Sequence, residues 1–271
     1  MKLSSIIQPQ ELLLLSKNDF ILFDVSAGSK ARYDKQHLDG AFYLDLNADL
    51  ADIKDFAVGG RHPLPTFEHF AEVLAKHGIT KDSHVIVYDD KNGSNAAARF
   101  WWMLKSIRHQ KVQVLNGGYN AAIEVGYTVT SEVPHAKISE PYQIDQWQLP
   151  LAEMDEVEIA AKSDNHVVID VRDANRYAGL TEPIDLIAGH IPGAINIPFT
   201  ENLDANGVFL APEILKEKYS KALSDYKNEN VIVHCGSGVT ACHTLLAMDY
   251  AGLEIPKLYV GSWSEWSRNK G

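Results

Sequence analysis

The sequence contains little cysteine: Cys235 and Cys242 are the only two among 271 residues. They lie seven positions apart in what reads as a loop and a helix, so their sulfurs would be on the order of 10 Å apart, too far for a disulfide. This scarcity is typical of proteins from a reducing compartment and excludes a disulfide scaffold. Cys-x-x-Cys and His-Glu-x-x-His spacings are also absent, so we predict neither a metal site nor a cofactor.

The chain also lacks a block of basic residues and a long apolar run. Its 36 acidic and 25 basic residues give a net charge of −11, which argues against a nucleic-acid partner. The apolar run at residues 12–15 is far too short to cross a membrane. It also lacks the small-residue cleavage site that follows a signal peptide. We therefore expect a cytoplasmic protein without a membrane partner. The composition is compatible with a monomer or a weak dimer.

What the chain does contain is an internal repeat. A length of 271 residues suits two domains of about 130 residues each. Three short motifs recur at nearly one spacing, with offsets of 146, 146 and 144 residues. The paired segments are 20–25 with 166–171, 84–88 with 230–234, and 116–119 with 260–263. Equal spacing of three separate motifs indicates a duplicated unit.

Each half reads as a doubly wound α/β domain. Apolar runs of four or five Val- and Ile-rich residues are typical of parallel strands buried on both faces, and helical patterns such as 66–77 and 212–223 lie between them. We predict two tandem domains, each a parallel sheet with helices on both faces, at residues 1–130 and 148–271. The proline-containing segment 131–147 is predicted to link them.

The segment 231–243 places Cys235 at the end of a predicted strand, followed by Gly236, Gly238 and a helix. Ligands bind at such strand ends in doubly wound sheets. The glycines let backbone N–H groups turn toward the sulfur, and the helix dipole adds partial positive charge. This setting stabilises a thiolate and makes the sulfur nucleophilic. The alternative, a small buried core residue, has no need of the glycine loop.

The first half has Asp89 where the second half has Cys235. A carboxylate cannot form a persulfide or a thioester. We therefore interpret the first half as a non-catalytic scaffold.

Three chemistries compete for the thiol of Cys235. A phosphatase needs an arginine six positions after its cysteine to bind phosphate, and this chain has Ala241 there. A thiol hydrolase needs a general base, but His234 would point to the opposite side of the strand. Sulfur transfer needs neither, because a cradle of N–H groups stabilises a thiolate and a persulfide alike. The residues favour sulfur transfer.

The loop Cys-Gly-Ser-Gly-Val-Thr at 235–240 resembles the active-site loop of the rhodanese superfamily, in its tandem-domain sulfurtransferase form. The segments 37–41, 189–194, 196–198 and 261–266 carry the same resemblance. It implies two α/β domains with the site in the cleft between them and only the second domain active. The implied reaction moves a sulfane sulfur from a small anionic donor, 3-mercaptopyruvate or thiosulfate, through a persulfide to cyanide, a small thiol or thioredoxin.

The resemblance also implies roles for individual residues. Cys235 would be the nucleophile, Arg176 would bind the anionic end of the donor, and His62 would face the cleft. The substrate-binding cradle would consist of Gly236, Ser237, Gly238, Val239 and Thr240. Arg176 could instead form a surface ion pair, and His62 could be an exposed loop residue. The hydroxyls of Ser237 and Thr240 could also cap the helix.

The preferred donor stays open at this point. The neutral loop favours 3-mercaptopyruvate, whereas segment 180–186 lacks the second arginine of the animal-type mercaptopyruvate enzymes. The alternative to an enzyme is a non-catalytic sulfur-carrier or protein-interaction module. A phosphatase or arsenate reductase is the third interpretation.

Overall fold

The computed structural model describes residues 3–271. Contacts divide the chain into two compact units. Unit 1 comprises residues 3–51, 65–148 and 206–208, and unit 2 comprises residues 52–64, 149–205 and 209–271. Segment 52–64 thus belongs to unit 2, although it lies in the first half of the sequence. Among residues 3–271, no helix has the length and apolarity needed to cross a bilayer.

Unit 1 is built on a five-stranded parallel sheet with the strand order β1-β6-β5-β2-β4, flanked by helices. Two further short strands, β3 and β7, form an antiparallel pair. The elements are β1 Ile6–Ile7, α1 Pro9–Leu14, β2 Ile21–Asp24, α2 Lys30–Lys35, β3 His37–Leu38, β4 Ala41–Tyr43, α3 Phe67–Lys76, β5 Val85–Tyr88, α4 Ala96–Ser106, β6 Val112–Leu115, α5 Gly118–Glu124 and β7 Val129–Thr130.

Unit 2 repeats this architecture. Its elements are β8 Leu151–Ala152, α6 Met154–Ala160, β9 Val167–Asp170, α7 Ala174–Tyr177, β10 Ile195–Asn196, α8 Pro212–Ala222, β11 Val231–His234, α9 Thr240–Tyr250, β12 Lys257–Tyr259 and α10 Ser262–Asn269. Its parallel sheet has the order β8-β12-β11-β9-β10, which matches the order in unit 1 strand for strand. The predicted fold class, two α/β domains with parallel sheets and flanking helices, is confirmed.

The strand and the helix on either side of the Cys235 loop are buried. β11 lies between β9 and β12, and all four of its residues are buried. Helix α9 is buried from Ala241 to Asp249. A helix that is buried on every side lies in a core rather than at a surface. The loop is therefore held between two elements that cannot shift without opening the core of unit 2.

The predicted helices at 66–77 and 212–223 are confirmed as α3 and α8. Thr66 caps α3, since its hydroxyl accepts a hydrogen bond from the N–H of His69 at 3.2 Å. The edge strands β1 and β8 were not predicted. Each contains only two residues, too few to show the alternation that identifies a strand. Residues 131–150 contain neither helix nor strand.

Helix α9 also contains a completely buried histidine. His243 stacks on Phe209 with ring centroids 4.4 Å apart, and Phe199 meets it edge-on at 5.5 Å. Neither ring nitrogen has a hydrogen-bond partner among residues 3–271. Burial, together with the nearby charge of Lys218, lowers the pKa of His243 to about 3. The folded protein therefore keeps this imidazole neutral.

We expect His243 to make the protein acid-sensitive. Its pKa is depressed on folding from an ordinary value of 6.5, so below pH 6.5 the unfolded chain binds a proton that the folded chain does not. The free energy of unfolding should fall by about 2 kcal/mol more between pH 7 and pH 5 in the parent than in His243→Leu. Urea unfolding at both pH values measures this. His135→Leu, at an exposed position, is the control and should behave like the parent.

Candidate active site

Cys235 follows the last residue of β11 and is 1% exposed. Four residues then connect it to Thr240, the first residue of α9. Gly238 in this connection has φ of +71°, and a Cβ there would lie 2.5 Å from the carbonyl oxygen of Val260. Glycine is therefore required at this position both for the left-handed backbone and for the close approach.

Ser262 holds the two ends of this loop. Its Oγ accepts hydrogen bonds from the N–H groups of Cys235 at 3.2 Å and Gly238 at 2.9 Å. The same hydroxyl donates to the carbonyl oxygen of Tyr259 at 2.9 Å. Ser262 is fully buried and has φ of +54°, unusual for a residue with a side chain. One buried hydroxyl therefore sets the shape of the loop around the thiol.

The start of α10 completes this support. The N–H of Trp263 donates to the carbonyl oxygen of Cys235 at 3.0 Å, and the N–H of Ser264 donates to that of Gly236 at 2.9 Å. Unit 1 contains the same contact, because the N–H of Tyr119 donates to the carbonyl oxygen of Asp89 at 3.0 Å. The sequence repeat at 116–119 and 260–263 thus corresponds to a backbone hydrogen bond that both units contain.

The loop at the matching strand end of unit 1 binds a carboxylate. Asp89 is fully buried, and its carboxylate accepts hydrogen bonds from four backbone N–H groups. The N–H groups of Lys91 and Gly93 bond Oδ1 at 2.8 Å each. Those of Asn95 and Ala97 bond Oδ2 at 3.0 and 3.2 Å. Burial raises the pKa of Asp89, and these four hydrogen bonds oppose the rise. In unit 1 these four N–H groups are therefore already bound to a carboxylate of the protein itself.

The corresponding loop of unit 2 carries no such carboxylate. The N–H groups of Gly236, Ser237, Val239 and Thr240 have no hydrogen-bond acceptor among residues 3–271. They belong to the loop that follows Cys235, and the dipole of the eleven-residue helix α9, which begins at the end of this loop, adds partial positive charge. This arrangement can stabilise a negative charge on sulfur.

Segment 52–64 places His62 against the loop. Nδ1 of His62 lies 2.8 Å from Oγ of Ser237. The segment is fastened to α10, since the N–H of Gly59 donates to Glu265 at 2.7 Å and the N–H of Arg61 donates to Ser264 at 3.0 Å. His62 is thereby held against the loop, although it lies 175 positions from Ser237 in the sequence.

Arg176 also lies at the loop, held by two carboxylates. Its Nη2 donates to Glu182 at 2.7 Å and to Asp185 at 3.5 Å, and its side chain is 17% exposed. Burial alone would raise the pKa of Glu182. The N–H groups of Asp185 and Ile184, together with the Arg176 guanidinium, instead lower this pKa below its usual value. Glu182 therefore stays ionised and orients Arg176.

Two further titratable side chains near the loop, Arg172 and His234, are buried. The guanidinium of Arg172 is buried and binds Asp170, Glu182 and the carbonyl oxygen of Gly189. His234 is fully buried, and burial lowers its pKa. Its Nδ1 lies 3.0 Å from the carbonyl oxygen of Cys235. Neither side chain is available to a substrate. No group of three or more His, Cys, Asp or Glu in residues 3–271 could hold a metal ion.

Comparison with known proteins identifies the family. A model of the rhodanese-like domain matches residues 8–124 and again residues 153–269. The chain belongs to the rhodanese family. The predicted resemblance is therefore confirmed, and both halves are rhodanese-like domains.

Curated relatives match over most of the chain. It is 37% identical to a probable 3-mercaptopyruvate sulfurtransferase of Pseudomonas aeruginosa, covering 98% of this chain and 92% of that protein. It is 34% identical to a thiosulfate sulfurtransferase of Rattus norvegicus, covering 89% and 80%. A solved 3-mercaptopyruvate sulfurtransferase from Leishmania major has a TM-score of 0.83 and 27% identity, covering 98% of this chain and 74% of that one.

The structure of this rhodanese-family chain brings the sequence-derived candidates together. Cys235, the cradle residues 236–240, His62 and the guanidinium of Arg176 all lie at one loop of unit 2. Sequence reasoning missed the role of Ser262, although the repeat at 116–119 and 260–263 had marked its segment. It also missed Arg61, which directly precedes His62 and pairs with Asp185. Both depend on contacts between segments distant in the sequence.

We expect Ser262→Ala to destabilise the protein because two buried N–H groups lose their acceptor. The cost should be about 1–3 kcal/mol for each group left unsatisfied. The matched control is Ser267→Ala on the same helix, because the buried hydroxyl of Ser267 has no partner among residues 3–271. Its free energy of unfolding should change by less than about 0.5 kcal/mol. Equal losses in both variants, measured by urea unfolding, would contradict this role for Ser262.

Proposed function

We propose that this rhodanese-family protein is a sulfurtransferase in which Cys235 accepts a sulfane sulfur from 3-mercaptopyruvate or thiosulfate and passes it on as a persulfide. Its curated relatives are 3-mercaptopyruvate and thiosulfate sulfurtransferases. The acceptor is cyanide, a small thiol or thioredoxin. A reducing compartment suits a chain whose two cysteines are both free.

One observation supports this proposal most directly: the cradle of N–H groups around Cys235. Four of these groups have no acceptor among residues 3–271, while in unit 1 four N–H groups that follow Asp89 bind its carboxylate. A backbone loop of this kind stabilises an anion at its centre. In unit 2 that anion is the thiolate of Cys235 or its persulfide, and no general base is needed.

The reaction balances with no further reagent. With thiosulfate, the thiolate of Cys235 attacks the outer sulfur, an S–S bond forms, and sulfite leaves with the electron pair of the broken bond. With 3-mercaptopyruvate, the C–S bond breaks and pyruvate leaves as its enolate, which takes up the proton of the donor thiol. Attack of cyanide on the terminal sulfur of the persulfide then releases thiocyanate and restores the thiolate.

The surrounding side chains have separate roles in this proposal. Arg176 binds the anionic end of the donor, because the guanidinium fork matches a carboxylate or a sulfonate. His62 fixes the Ser237 hydroxyl through their 2.8 Å contact, which keeps the cradle in shape. The first domain remains non-catalytic, since Asp89 occupies its loop.

We expect Cys235→Ser to abolish sulfur transfer while the protein still folds, because a serine oxygen cannot carry the sulfane sulfur. Intact mass after incubation with each donor should show a gain of one sulfur atom in the parent, reversed by cyanide, and none in the variant. Cys242→Ser is the control: Cys242 Sγ donates to the Gly238 carbonyl oxygen at 3.3 Å, and a serine hydroxyl can do the same. This variant should still take up the sulfur. Turnover by Cys235→Ser would overturn the proposal.

The ratio of kcat/KM for the two donors, with cyanide as acceptor, identifies the preferred donor. A parent protein that gains no sulfur from either donor would instead favour the sulfur-carrier or protein-interaction function.

A further inference from the structure

Unit 1 contains a cavity of about 390 Å³ that takes no part in the proposed reaction. It lies where α2, β4 and the C-terminal end of α3 meet the segment 131–147, and all of these belong to unit 1. A cavity of this size suits a small organic molecule.

The segment 131–147 forms one wall of this cavity. It is fastened at two points. Nε2 of His37 lies 3.1 Å from the carbonyl oxygen of Glu132, and the N–H of Ser139 donates to the carbonyl oxygen of Ala75 at 3.0 Å. Three of the residues between these points border the cavity. The wall is therefore held by hydrogen bonds at both of its ends.

The cavity offers aromatic ring surface to a ligand. Tyr33 of α2 and Phe42 and Tyr43 of β4 line it, and Phe42 and Tyr43 are only half-buried. The hydroxyl of Tyr33 donates to the carbonyl oxygen of Ala41 at 2.8 Å. That of Tyr43 donates to the carbonyl oxygen of Ser26 at 3.3 Å. Because both hydroxyls are already used, these side chains are suited to bind a flat apolar ring.

One buried polar group borders this aromatic surface without a partner. His77, the residue after α3, lines the cavity and is 8% exposed, and its ring meets Phe42 edge-on at 5.5 Å. Its Nδ1 lies 2.8 Å from the carbonyl oxygen of Val73, so this nitrogen carries the proton and Nε2 is directed away from the helix. Nε2 has no hydrogen-bond partner among residues 3–271. Burial lowers the pKa of His77, so the imidazole is neutral and Nε2 is an acceptor.

The charges around the cavity cancel. Lys30 borders it and pairs with Asp34, while Lys76 and Asp49 both line it. These four charges sum to zero, so they favour neither an anion nor a cation. Both lysines are exposed and Asp49 is half-buried, which leaves His77 as the buried polar group. A buried acceptor without a donor costs free energy, and a ligand with one N–H or O–H would satisfy it.

We propose that this cavity of unit 1 binds a neutral, flat aromatic molecule whose ring carries one N–H or O–H donor, as in an indole or a phenol. The ring packs against Phe42 and Tyr43, and the donor bonds Nε2 of His77. The inference does not rest on sulfur transfer. It gives the first domain a binding role of its own beside that of a scaffold.

Indole and benzofuran test the hydrogen bond to Nε2. The two molecules have nearly the same size and shape, but a ring oxygen that cannot donate replaces the N–H of indole in benzofuran. Ligand-observed NMR titration of the full chain should give indole an affinity about 3- to 10-fold higher than that of benzofuran, as expected for one hydrogen bond. Equal affinities, or no binding of indole up to its solubility limit, would overturn the proposal.

His77→Phe and His69→Phe are the matched variants. His77→Phe keeps a flat ring and removes the acceptor, so the preference for indole over benzofuran should disappear. His69 lies on α3 but does not line the cavity, and its Nε2 is 2.9 Å from the carbonyl oxygen of Ala48. His69→Phe should keep the preference. A preference that survives in His77→Phe would contradict the proposal, and so would its loss in both variants.

Ala136→Phe keeps the test decisive if His77→Phe does not fold. Ala136 lines the cavity from the segment 131–147, and a phenylalanine ring there would fill the space, so both ligands should lose most of their affinity. Unchanged affinities would mean that the ligands bind elsewhere, which overturns the proposal. Cys235→Ser should bind indole as the parent does, because Cys235 lies in unit 2. Loss of indole binding in that variant would place the ligand at the thiol instead.

Discussion

The site depends on one feature: a tight loop between a buried strand and a helix presents several backbone N–H groups, and such groups favour a negative charge. Both domains have it. In unit 1 the carboxylate of Asp89 fills the loop with four hydrogen bonds. In unit 2 the same position holds Cys235, whose sulfur can become an anion and can also react. The two domains thus share a strand–loop–helix arrangement and differ in the length of the loop and in the residue at its start.

The remainder of the site keeps this cradle rigid and open. Ser262, Trp263 and Ser264 bind the backbone of the loop from α10, and helix α9, buried from Ala241 to Asp249, supports it from the other end. Because these contacts lie in the core of unit 2, they hold the loop in one shape. Such preorganisation is the usual source of electrostatic stabilisation in enzymes.

A network of charges surrounds the cradle. Buried Asp170, Glu182 and Asp185 orient four arginines, and one positive charge remains without a carboxylate. Carboxylates that bind arginines inside the protein do not repel an anionic donor as exposed ones would. They instead orient the guanidinium of Arg176, which lies at the loop. The net charge of −11 therefore does not describe the charge near this loop.

The sequence alone determined the duplication, the α/β class and the position of the thiol at a strand end, since each is written in local patterns: Val-rich runs, glycine spacing and offsets of 144 to 146 residues. The two-residue edge strands β1 and β8 were not predicted, because so short a segment cannot show the alternating pattern that identifies a strand. Only the tertiary structure decided that segment 52–64 belongs to unit 2, that Ser262 fastens the loop, and that Arg61 pairs with Asp185. The physical reason is that any arginine in a sequence can pair with any carboxylate, and a hydroxyl with any N–H. Which ones do so is chosen by the packing of segments that are distant in the chain.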